Sequence, residues 1–292
     1  MQFIERAIWF IETRFAEDIS LDDIADIGGV SRFHLSRSFA TIAGLPVMAY
    51  VRGRRLTLAA QKLLAGAPDI LAVALDVGYS SHEAFTRAFR EQFGQTPEHL
   101  RAHGLADPQR MVEPLRLDET LLTALPEPRV VDGVPLRIAG FGERYTFDTN
   151  HGIPALWQRF SPHVGHMPGQ LGDTTYGVVA DFEEDCSFGY LAGVAVSPSA
   201  DLDEGTAYID IPAQRYAVFA HQGHISTMRR TAYSIWAQYF PSSSLVPTGG
   251  PSFERYGTEH DAHSGYGLVE VWVPIRKQAP AASPPTVRRP LA

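Results

Sequence analysis

A single cysteine, Cys186, stands in 292 residues, so no internal disulfide can form and a disulfide scaffold is excluded. With Glu183, Glu184 and Asp185 beside it, it reads as a structural or incidental thiol rather than a redox sensor. No apolar run reaches the length needed to span a bilayer, and no signal-peptide pattern starts the chain, so the expectation is a cytoplasmic protein without a membrane partner. Basic charge is scarce too: the formal net charge is −8. The deficit is uneven, with 12 Lys/Arg against 13 Asp/Glu in residues 1–110 and 13 against 20 in residues 111–292. Any nucleic-acid contact by the near-neutral front part must rest on a few placed side chains rather than a basic field.

The usual chemical motifs are missing as well. No glycine-rich phosphate loop follows a strand and no nucleophile elbow is visible, so no catalytic residue and no cofactor are expected. Three His-x-x-His pairs (163/166, 221/224 and 260/263) have spacing that zinc could use, but they fall in loops or at strand ends without a cysteine cluster, and no metal is expected. What is present is ordinary globular composition, 45% hydrophobic and 20% charged, at a length that suits two domains.

The strongest pattern is a repeat at a spacing of fifty residues. Gly28, Ser31, Leu35, Arg37, Phe39 and Gly44 map without gaps onto Gly78, Ser81, Phe85, Arg87, Phe89 and Gly94. Each unit reads as helix, glycine turn, capped second helix. Ser20 caps a helix from Leu21 with a buried stripe of Leu21, Ile24, Ala25 and Ile27. Gly28 and Gly29 break it, and Ser31 caps a second helix that stops at Gly44. In the second unit Asp69 caps Ile70 to Val77, the turn is at Gly78, and Ser80 or Ser81 caps a helix with Phe85, Phe89 and Phe93 on its apolar edge. Pro46 opens a long connecting helix through Leu64, which would hold the two second helices at a fixed separation suited to adjacent major grooves.

Between Ala106 and Arg129 the texture changes, with Pro108, Pro114, Pro126 and Pro128 and a short predicted helix at Leu117 to Leu125. The expected division is a DNA-binding domain over 1–106, a linker over 107–128, a second domain over 129–278 and a disordered tail over 279–292. The second domain also repeats. Leu136 to Phe141, Ile153 to Phe160, Thr175 to Ala180 and Tyr190 to Val196 read as strand, helix, strand, strand. The order returns in Arg215 to Ala220, Thr231 to Phe240, Ser252 to Tyr256 and Gly267 to Val273. Trp157 then pairs with Trp236, while Glu254 and Glu270 stand where the first half has Gly177 and Gly193. Carboxylates among aromatic rings suit an organic cation through charge pairing and cation–π attraction. The competing reading pairs Glu254 with Arg255 or Arg215 and puts Glu270 on a solvated face.

Residues Ile4 to His103 resemble the DNA-binding domain of the AraC/XylS regulators, most specifically in the second unit and its trailing Gly-Gln-Thr-Pro-Glu-His-Leu-Arg, Gly94 to Arg101. The resemblance implies that base edges meet Arg32, Phe33, Ser36 and Arg37 on one helix and His82, Glu83, Thr86 and Arg87 on the other. For Arg37 and Arg87 the alternative is phosphate contact or solvated surface. Residues Arg129 to Pro274 resemble the gyrase-inhibitor-like (GyrI-like) effector-binding domain of multidrug-responsive regulators, through Tyr216-Ala-Val-Phe219, Ile235-Trp236, Phe253-Glu-Arg-Tyr256 and Val269-Glu-Val-Trp-Val-Pro274. The combination looks like the Rob-type branch of the AraC/XylS family.

The fold class expected is therefore α, two homeodomain-like helix-turn-helix units, followed by α+β, a pseudo-twofold duplicated β-α-β-β domain. The resemblance implies a pocket near Trp157, Tyr176, Tyr233, Trp236, Glu254, Tyr256 and Glu270. Trp157 and Trp236 have core packing as their alternative. The leading expectation is a bacterial transcription regulator, on the nucleoid when bound, with double-stranded DNA and a small cationic or amphipathic organic ligand as partners. RNA polymerase is a further expected partner, and activation is favoured over repression only by resemblance. Two other readings stay open: a protein-interaction module without a small ligand, and a small-molecule hydrolase using a carboxylate and a tyrosine.

Overall fold

In the computed structural model, residues 2–104 and 107–277 are described; the expected tail over 279–292 lies outside them. The front part holds seven helices: α1 (Phe3–Arg14), α2 (Leu21–Gly28), α3 (Arg32–Ala43), α4 (Val47–Leu64), α5 (Ile70–Asp76), α6 (His82–Phe93) and α7 (Pro97–His103). The cap chemistry read from sequence sets their starts. The Ser20 hydroxyl accepts from the Asp23 N–H, Ser31 from His34, Asp69 from Leu71 and Ala72, and Ser81 from Ala84. Gly78 is needed where α5 turns toward α6: its φ is +84°, and a Cβ there would press on the Ala16 carbonyl carbon at 3.1 Å.

Each helix-turn-helix unit has its own core. Ile4, Ile11, Ile24, Leu35, Phe39 and Tyr50 centre the first, and Leu56, Leu63, Val73, Phe85, Phe89 and Leu100 the second. The helix α4 contributes to both, so it ties the units together as one body.

The linker departs from expectation. Instead of a helix at Leu117 to Leu125 there is a three-residue 3-10 turn, Glu119–Leu121. Side chains from both domains take backbone N–H groups along the segment. Thr57 accepts from Val112, Tyr50 from Leu115, Tyr233 from Asp118, and Ser234 from Thr123, at 2.7–2.9 Å. The segment is a strap laid over both domains.

The rest is one curled antiparallel sheet with helices on one side. Its strands are β1 (Arg129–Gly133), β2 (Leu136–Tyr145), β3 (Gln170–Ala180), β4 (Phe188–Val196), β5 (Ala207–Ile211), β6 (Gln214–His224), β8 (Ser252–Asp261) and β9 (Tyr266–Lys277), ordered β1-β6-β9-β8-β3-β4-β2-β5, with a short β7 (Leu245–Pro247) on β9. The halves β2-α8-β3-β4, where α8 is Ile153–Phe160, and β6-α9-β8-β9, where α9 is Met228–Ser234, meet along the β3–β8 pair. The strands β1 and β5, unseen in the sequence repeat, are exchanged between halves: β1 pairs with β6, and β5 with β2. After α9 the helix runs through a π turn, Ile235–Tyr239, into α10 (Phe240–Ser242).

Candidate effector cleft and nucleic-acid interface

Glu254 lies on β8 at the seam of the two halves, and its cross-strand partner on β3 is Gly177. A Cβ at Gly177 would strike the Tyr190 hydroxyl and come within 2.9 Å of the Glu254 carboxylate, so the absent side chain makes room for that pair. The Tyr256 hydroxyl donates to Glu254 Oε2 at 2.7 Å and the Tyr190 hydroxyl to the same oxygen at 3.0 Å. Trp157 Nε1 donates to the Tyr190 hydroxyl at 3.0 Å, and its ring stands edge-on to Tyr256 at 5.1 Å. Burial raises the Glu254 carboxyl above its ordinary 4.5 despite both tyrosine donors, because enclosed charge loses its hydration. The result is a carboxylate with fixed donors and aromatic walls, and one cation near it.

That cation is Arg37 of α3. Its guanidinium lies 4.7 Å from the Phe182 ring centre, 5.5 Å from Trp236 and 5.9 Å from Phe188, each contact of a kind that contributes about 0.5–2 kcal/mol. It makes no ion pair and no side-chain hydrogen bond among the described residues, although Glu254 acts on it electrostatically. Burial pulls its pKa down to about 10. The spaces it shares with the cleft are small: about 60 Å³ beside Glu254, Trp236 and Val271, and about 10 Å³ beside Phe33 and Phe182.

The neighbours of Arg37 on α3 dock as well. Phe33 packs edge-on against Phe182 and Trp236 and belongs to the effector-domain core around Phe219 and Phe240. Arg32 pairs with Asp22 and, at 3.3 Å, with Glu184. His34 is 3% exposed between Phe3, Trp236 and Phe240, with neither ring nitrogen hydrogen-bonded, and burial drops its pKa to about 4. Ser36 is buried. The second unit behaves oppositely. On α6 His82, Glu83 and Arg87 are exposed and Thr86 is half-buried, and together they line an open surface concavity.

Comparison with known proteins gives two matches. Residues 126–276 match the family described as GyrI-like small molecule binding domain, more than half of the chain, and residues 24–103 match a helix-turn-helix domain. This chain belongs to the GyrI-like family, joined to an AraC-type helix-turn-helix domain. It is 26% identical to the transcriptional regulator Rob of Salmonella typhimurium over 284 residues, 92% of this chain and 96% of that protein. It is 27% identical to the right origin-binding protein of Escherichia coli K12 over 288 residues, with the same shares. The regulatory protein SoxS of Salmonella typhimurium is 35% identical over 100 residues, 34% of this chain and 94% of SoxS.

Within the GyrI-like domain the seven expected pocket residues do not form one site. Trp157, Trp236, Glu254 and Tyr256 surround the cleft on the helix-bearing side. Glu270 is on the opposite face, where Arg129 and Arg255 pair with it and Trp272 donates to it at 3.2 Å. Tyr176 shares that face, in a separate groove of about 470 Å³. Strand alternation puts Glu270 on the face opposite Val271; the cleft is on the Val271 side, because Glu254 on the neighbouring strand faces there with it. Tyr233 is only 2% exposed and holds the linker through the Asp118 N–H. The pairing of Glu254 with Arg255 or Arg215 does not occur: Arg255 pairs with Glu270, and Arg215 with Asp132.

Residues missed from sequence are Tyr190, Phe182 and Phe188. Tyr190 had a usable signal, since alternation along β4 puts it with Ala192 and Val194 on the core side facing α8. Cys186 is buried, and burial together with Asp185 pushes its thiol up to about 12, as suits a structural cysteine. No three His, Cys, Asp or Glu residues gather to hold a metal among the described residues, and His221 of one His-x-x-His pair is hydrogen-bonded to Thr231 at 2.7 Å. No helix among the described residues is long and apolar enough to cross a membrane.

Proposed function

We propose that this chain is a transcription regulator that reads DNA with α3 and α6 and answers to an organic cation bound beside Glu254. The observation that carries the reading is the enclosed carboxylate, held by two tyrosine hydroxyls between aromatic walls, in a domain joined to two helix-turn-helix units. A monovalent lipophilic cation would gain charge pairing from Glu254 and ring contacts from Trp157, Tyr256 and Trp236. Base contacts by His82, Glu83, Thr86 and Arg87 are supported by the exposure of that face of α6 at the start of a capped helix. The cleft is proposed as a sensor rather than a catalyst, since its carboxylate is engaged by two donors.

The test is direct. Tetraphenylphosphonium should quench tryptophan fluorescence saturably, tetraphenylborate of the same shape should not, and Glu254→Gln should weaken the cation at least tenfold. Equal response to both ions, or an unchanged Glu254→Gln, would remove the cation reading. Product analysis by mass after incubation with ester or epoxide probes would expose any catalysis.

A further inference from the structure

The helix α3 presents its outer face to the effector domain, and that is the face the proposed DNA contact needs. An α-helix enters a major groove with the exposed side of its first turns. Here Arg32, bound to Asp22 of its own unit, also reaches Glu184 at 3.3 Å, Phe33 packs on Phe182 and Trp236, and Arg37 lies under three rings. The corresponding face of α6 is open.

We propose that α3 is a built-in occupant of the effector cleft, its Arg37 standing where an organic cation's charge would sit, so that ligand binding and α3 docking exclude each other. The inference rests on the cation reading above and adds what the cleft holds without a ligand. Space supports it. Sites for small organic ligands measure roughly 300–1,000 Å³. With Arg37 in place the cleft beside Glu254 keeps about 60 Å³, too little for an aromatic cation, so Arg37 must leave before one can enter.

The seam is also built to part. Among the described residues Arg37 has no ion-pair partner, both His34 ring nitrogens are buried without hydrogen bonds, and an open groove of about 740 Å³ runs along the seam past His34, Phe240 and Leu245. A ligand that binds only the undocked form shifts the population toward it, and DNA that needs α3 does the same. Cation and DNA therefore strengthen each other's binding, and the cation is an inducer of DNA reading by the first unit.

The experiment measures tetraphenylphosphonium affinity by calorimetry on the full chain and on seam variants. Arg37→Ala should tighten binding about tenfold, because an occupant has been removed. Phe33→Ala, which alters no charge, should tighten it several-fold. Glu184→Gln should tighten it about twofold, although losing a carboxylate would by itself weaken a cation's binding. Matching thermal melts identify variants that remain folded. Tightening in Arg37→Ala alone would mean simple charge repulsion and would overturn the proposal, as would equal affinity in all four chains. No binding to any chain, including Phe33→Ala with Arg37→Ala, would overturn this inference and the cation reading together. Binding that differs from wild type in the expected order supports both.

Discussion

Glu254 and Glu270 look equivalent in sequence, each a carboxylate inside an aromatic strand. The structure gives Glu270 two arginines and Glu254 two tyrosine hydroxyls. An arginine-paired carboxylate has little left to offer a cation, whereas Glu254 is held by neutral donors with Arg37 near it but not ion-paired to it. Glu254 must be ionised to attract a cation, and its carboxyl is raised above 4.5 by burial. Cation affinity should therefore fall as pH drops, beginning at a pH above 4.5, and a titration of tetraphenylphosphonium binding from pH 8 to 4 checks it. Gly177→Ala should cost about 1–3 kcal/mol in thermal stability and also weaken the cation, since the added methyl displaces Tyr190 from Glu254.

At the scale of elements, α3 and α6 share cap, turn and length, yet one is docked and the other open. The difference comes from the partner surface, above all the π turn that carries Trp236; a π turn inside a helix is a common mark of a working site. On α6, Arg87→Ala should weaken specific DNA binding about tenfold or more with an unchanged melt, read by electrophoretic mobility shift on selected DNA. On α3, His34 is held neutral with its pKa at about 4 against an ordinary 6.5. A depressed histidine favours the folded, docked form fully above pH 6.5, and that advantage is lost as pH falls toward 4. The loss is roughly 2 kcal/mol by pH 5, and His34→Leu should flatten this part of the stability profile. Arg6, Asp26 and Arg276 line the groove beside His34, and burial alone sets the depression.

For the whole molecule the linker matters most. Tyr50 donates to Glu12, which is also bound by Arg54 at 2.9 Å, and accepts from the Leu115 N–H at 2.7 Å, so one buried hydroxyl fastens α1, α4 and the strap. Tyr50→Phe should cost about 1–3 kcal/mol and lower the melting temperature by a few degrees, since it leaves the Leu115 N–H without its acceptor. The strap continues to Tyr233 and Ser234, immediately before the π turn. It keeps the two domains close enough for α3 to find the cleft again after release.

Local patterns carried much of this molecule. Caps, glycines and apolar spacing determined α2 to α6, and alternation with turns determined β2, β6 and most of the duplicated sheet, because these depend on neighbours within a few residues. The exchanged strands β1 and β5 were not legible, since they pair with segments far along the chain and leave no repeat. Nor was the side of the sheet that forms the cleft: alternation says which residues share a face, and only the packing of α8, α9 and α3 says which face is enclosed. The repeat of Arg37 and Arg87 in sequence made them equals. Only the tertiary structure sets Arg37 under aromatic rings facing Glu254 while Arg87 stays in solvent, because the domain that distinguishes them touches one helix and not the other.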